Sequence, residues 1–167
     1  MVFRAHGQHI GGLLPIAEFD TVDASLLGMR IHAVDSATSG YGYGEFIYLK
    51  GVASTAIGSW VTYATDDFTT ALLVTSAIGP VAIAMSANIV ATTGGWYQIW
   101  GKASGLALTG FADNGNAYAT ATAGSVDDAI VAGDLVKLAK GASAVNETTL
   151  LADFEIHYPF MDDGLTA

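Results

Sequence analysis

Between residues 45 and 158 apolar side chains recur in short runs, many at every second position, and each run is closed by glycine, asparagine, aspartate or serine. A two-residue period puts alternate side chains on opposite faces of an extended chain, so the pattern predicts strands. The runs are 45–52 (EFIYLKGV), 59–64 (SWVTYA), 70–75 (TALLVT), 81–86 (VAIAMS), 96–103 (WYQIWGKA), 117–123 (AYATATA), 134–140 (DLVKLAK) and 150–158 (LLADFEIHY). Ile57-Gly58, Asp66-Asp67, Gly79-Pro80, Gly94-Gly95 and Asp113-Asn114-Gly115 supply turn chemistry between them. The expected fold is all-β, a β-sandwich or partly open β-barrel of about eight short strands, with an extended N-terminal arm and at most one short helix. That helix would be 125–134, capped by Ser125 with Asp127 and Asp128 in its first turn, and a loop fits the same residues.

Residues 1–40 alternate poorly and are broken by Gly7, Gly11, Gly12, Pro15 and Gly28, so they read as an arm and lead-in to a β-domain at 41–167. In the last run Leu150, Ala152, Phe154, Ile156 and Tyr158 share a core face, with Asp153, Glu155 and His157 opposite. Neither face of 81–86 carries a charge, which makes that strand central. The same period in 96–103 aligns Tyr97, Ile99 and Ala103 on a core face and Trp96, Gln98, Trp100 and Lys102 on the other. Large aromatics alternating with long polar side chains suit a contact between chains, so those four residues are the expected oligomer interface.

Composition narrows the functional classes. Apolar residues make up 51% of the 167 and charged residues 13%, which opposes disorder. Sixteen acidic against six basic residues give a charge of -10, which repels a phosphate backbone, so nucleic acid is not an expected partner. Cysteine is absent, removing disulfides and thiol chemistry together. From Phe68 to Gly101 no residue is charged, but Gly79-Pro80 breaks the run, polar residues are scattered through it and flanking cations are few, so no membrane span is expected. The first twenty residues lack the sustained apolar stretch of a signal peptide, and synthesis in cytoplasm is expected.

Catalytic and ligand motifs are equally sparse. The sequence has no G-x-S-x-G, H-E-x-x-H, P-loop or C-x-x-C. GYGYGE (40–45) leads into a strand where a phosphate cradle would open a helix. His6 and His9 lack a third ligand nearby, and DNGN (113–116) lacks the later glutamate of a calcium loop. The aspartate pairs at 66–67, 127–128 and 162–163 sit in turns or the tail, where the carboxylate bonds its own backbone. No catalytic residue, cofactor or metal is expected.

The stretch from about 44 to 144 resembles the small capsid decoration, or cement, proteins that accompany the major capsid protein of tailed bacteriophages. The resemblance lies in the G-x-W-V-T-Y strand, GPVAIAMSAN, GWYQIWG and the late AGDLVKL. It implies a mostly β structural protein on the outer surface of the virion, a homotrimer that clamps neighbouring major capsid subunits. On that reading the arm residues Phe3, Ile10, Leu13 and Leu14 would bind the capsid or add a strand to a neighbouring sheet edge. A carbohydrate-binding sandwich is the alternative, with Trp96 and Trp100 stacking sugar rings and Asp113, Asn114 or Asn116 holding calcium or hydroxyls.

Overall fold

The computed structural model describes residues 3–5, 14–35 and 40–162 of the chain. Among them no helix occurs, and twelve strands form one hydrogen-bonded system. In chain order they are β1 (Phe3–Ala5), β2 (Phe19–Thr21), β3 (Arg30–Asp35), β4 (Tyr43–Lys50), β5 (Trp60–Tyr63), β6 (Thr70–Leu72), β7 (Gly79–Ala84), β8 (Thr93–Leu106), β9 (Asn116–Ala119), β10 (Val126–Asp127), β11 (Leu135–Gly141) and β12 (Leu151–Met161). Each of the eight runs predicted from alternation contains a strand. The other four are β1, β2, β3 and β10, in segments too short or too polar to show a period. Val126–Asp127 is extended and the residues after it turn, so the loop reading of 125–134 holds and the helix does not.

The lead-in is built into the sheet. β2 pairs with β8 from Phe19↔Gly95 to Thr21↔Thr93, and β3 pairs with β4 from Arg30↔Ile47 to Val34↔Tyr43. The expected division at residue 40 therefore falls between two paired strands. Uncharged residues 68–101 become β6, β7 and the first part of β8.

Three strands define the centre. The order runs β1-β3-β4-β8-β7-β12-β11-β9-β10, and β8 pairs with β12 as well, so β7, β8 and β12 close a circuit. Strand β8 achieves this by changing partner along its length: Tyr97 and Gln98 face Ala84 and Ile83 of β7, and Trp100 to Leu106 face His157 to Leu151 of β12. On the β4 side the change is marked by a bulge. Glu45 pairs with Trp100 and Phe46 with Gln98, which leaves Ile99 as an extra residue. Gly101 follows at φ +98°, a conformation L side chains resist, and a Cβ there would lie 2.5 Å from the Tyr43 carbonyl oxygen.

The bulge distributes β8 over three apolar clusters. Trp96 packs with Ile16, Phe46, Tyr48 and Met85; Tyr97 and Ile99 pack with Ile47, Val61 and Ala84; Ala103 joins Trp60, Phe111, Phe154 and Ile156. Ala103 thus leaves the cluster that strict alternation gives it. A second break lies at the β11–β12 pair, where Lys137 faces Phe160 and Ala139 faces Ile156. Leu138 and Tyr158, at φ +61° and +55°, take up the mismatch. The core face of β12 accordingly holds Ala152, Phe154 and Ile156, while Tyr158 is turned outward and Leu150 lies exposed just before the strand.

Candidate functional site

The residues expected at an oligomer interface separate. Trp96 is fully buried in its own chain, its indole Nε1 donating to the Leu14 carbonyl at 2.8 Å and its ring meeting Tyr48 edge to face at 5.2 Å. Gln98 is buried too, and its Nε2 donates to the carbonyls of Trp100 and Lys102 at 3.1 and 2.9 Å, which braces the chain just past the bulge. Neither side chain is available to a partner, so the interface expectation is corrected for both. The reason is that the extra residue at Ile99 breaks the two-residue period that had placed all four together. Lys102 forms an ion pair with Asp153 at 3.0 Å and lies over the Tyr41 ring. Tyr41 in turn donates its hydroxyl to Asp153 at 2.5 Å. Burial and that carboxylate push the Tyr41 phenol up to about 12.

Trp100, half-buried, also stays at the surface, and the sheet surrounds it with chemistry that is scattered in the sequence. The pairings His32↔Glu45, Glu45↔Trp100 and Trp100↔His157 set one row across β3, β4, β8 and β12. Ring contacts follow the row. Tyr43 stacks on His32 with centroids 5.3 Å apart, and Trp100 meets Tyr43 at 5.8 Å and His157 at 5.7 Å, nearly perpendicular to both.

Glu45 is the hub of this patch. Its carboxylate accepts the Tyr158 hydroxyl at 2.6 Å, lies 3.4 Å from His32 Nε2 and 3.7 Å from Arg30 Nη1, and the residue is only 8% exposed. The hydrogen bond to this carboxylate raises the Tyr158 phenol pKa. Tyr63 is raised mainly by burial, with the Arg30 guanidinium opposing. Alternation gave no hint of the patch, because Arg30, His32, Tyr43 and Glu45 precede Trp100 by more than fifty residues.

A different surface lies around the β11–β12 bulge. Phe160 is 38% exposed and faces Pro80 of β7 on one side and Lys137 on the other. Leu138, 57% exposed, bulges beside it, and Ile78, 65% exposed, precedes β7. Lys137 lies over the Phe160 ring and pairs with Asp162, so its charge is already partnered. A cleft of about 350 Å³ with a mostly apolar lining, including Ile16, Ile57, Met85 and Leu151, opens elsewhere.

The remaining candidates keep simpler roles. Leu14 packs against the cluster around Trp96, the backbone of Phe3 lies in β1, and Ile10, Leu13, His6, His9 and Asp163 lie outside the described residues. Asp67 Oδ1 accepts from both the amide and the hydroxyl of Thr69, at 3.0 and 2.7 Å, which is turn chemistry. Asp128 accepts the amide of Ala112 at 2.9 Å, tying the 109–116 turn to the segment after β10. Asn114 takes a left-handed conformation in that turn. Among the described residues no group of three or more His, Asp or Glu side chains could hold a metal ion. No family model, curated protein or solved structure matches the chain.

Proposed function

We propose that this protein is a structural component of a tailed-phage virion that decorates the outer capsid surface, associating as a homotrimer and cementing neighbouring major capsid subunits, with no turnover of its own. The observation that carries this reading is the exposure of Leu138 and Phe160 at the β11–β12 bulge, with exposed Ile78 two residues before Pro80, the β7 partner of Phe160. Two features make it a presented surface. Leu138 and Tyr158 sit in left-handed backbone, which costs about 1–3 kcal/mol each, and that bulged conformation leaves Leu138 exposed. Lys137 lies over the Phe160 ring and pairs with Asp162, so its charge is already partnered and need not oppose a contact made through Leu138. Trp96 has no share in the contact, because its roughly 4–6 kcal/mol of gross burial is already used in folding the chain.

The reading is tested by light scattering of the purified protein and by its binding to heads assembled without it. Three copies per particle are expected for the native chain and one for the Leu138→Glu/Phe160→Glu double variant, with head occupancy falling at least tenfold. A native chain that is monomeric at all concentrations and does not bind heads overturns the proposal. The arm has its own test. Deletion of 1–13 keeps the Leu14 carbonyl that Trp96 needs, and should lower head binding while leaving the copy number unchanged.

A further inference from the structure

We infer that the patch around Trp100 is a binding site for a neutral saccharide. A sugar ring offers an apolar C–H face and a rim of hydroxyls, so it is recognised by exposed aromatic rings flanked by fixed planar donors and acceptors. The patch has both. Tyr43 and Tyr158 are 43% and 48% exposed, and the Trp100 ring meets both Tyr43 and His157. The polar groups are held ready by one nearly buried carboxylate. Glu45 engages Arg30, His32 and Tyr158 together, yet the side chains of Arg30 and His32 remain 53% and 55% exposed, leaving guanidinium donors and an imidazole edge for a ligand. Groups fixed in advance lose little entropy on binding.

Charge selects the class of ligand. The Arg30 guanidinium and the Glu45 carboxylate offset each other at 3.7 Å, so neither is left as an unpaired charge to draw an ion. The carboxylate is also committed to three partners, which leaves it poorly disposed to a metal. Exposed rings beside fixed hydrogen-bonding groups suit a hydroxyl-rich neutral molecule.

The test is binding of the native full-length chain to an immobilised array of neutral oligosaccharides, confirmed in solution by titration calorimetry with the strongest binder. Tyr43→Ala and Trp100→Ala should each weaken binding at least tenfold. Arg30→Leu should do likewise, and unchanged thermal unfolding of the Tyr43 variant would show that the loss is local. Absence of binding to every saccharide overturns the inference, as does undiminished binding by both aromatic variants. Loss of head attachment in these variants without any saccharide binding would also overturn it, by assigning the patch to the capsid contact. The inference is independent of the virion reading, because sugar binding is measured without heads.

Discussion

Gly101 stands where β8 has passed its bulge, and its role follows from two independent constraints. Its φ is +98°, and an added Cβ would press against the Tyr43 carbonyl oxygen, an atom fixed in the strand pairing. Gly101→Ala should therefore lower unfolding free energy by about 2–4 kcal/mol, read by urea denaturation, through backbone strain and overpacking together. Trp96 gives a contrasting case. Trp96→Phe keeps most of the apolar ring but leaves the Leu14 carbonyl without its donor. About 1–3 kcal/mol of stability should be lost with no change in copy number by light scattering. An equal loss of association would return this indole to the interface.

Elements in this fold are tied by hydroxyls as well as by ladders. Tyr41, just before β4, reaches Asp153 of β12, and Tyr97 of β8 is surrounded by apolar side chains and donates to the Lys50 carbonyl at 3.3 Å. Both phenols are pushed up to about 12 from 10.0, chiefly by burial. A phenol whose pKa is raised on folding stays protonated in the native state after the unfolded chain has begun to ionise. Its stabilising contribution is complete below about pH 10 and is lost as pH rises from there through 12. Thermal unfolding should therefore be level in this respect up to pH 10 and fall steeply above it. Tyr41→Phe should make that alkaline fall shallower by removing one of the phenol protons that the folded chain retains. An identical slope in the variant would mean that Tyr41 ionises in the folded chain as freely as in the unfolded one.

At the scale of the whole molecule, a charge of -10 on 167 residues opposes any contact between copies. Apolar side chains such as Leu138 and Phe160 must overcome that repulsion if copies associate. Salt should then tighten the proposed trimer: raising ionic strength from about 0.01 to about 0.15 M shortens the Debye length from about 30 to about 8 Å. Sedimentation at fixed protein concentration should show the trimer fraction rising over that range. A fraction that falls with salt would mean that attraction between opposite charges, and not apolar burial, holds the copies together.

Alternation was enough to place a strand in each of eight segments and to establish an all-β chain, because the two-residue period is written in neighbouring side chains and glycine-rich or aspartate-rich turns stop each run. It also marked β7 as central, since a strand without charge on either face has to be covered on both. Strands β1, β2 and β10, of three residues or fewer, are too short to display a period, and in β3 polar Arg30, His32 and Asp35 interrupt the apolar run. The assignment of faces depended on tertiary structure. Trp96 and Trp100 are an even number of residues apart, yet one is core and the other surface, because β8 leaves β7 for β12 and spends Ile99 in doing so. The outward turn of Leu138 and Tyr158 arises in the same way, from pairing between strands. A bulge is decided by partners remote in the chain, and so is the gathering of His32, Glu45, Trp100 and His157 into one row.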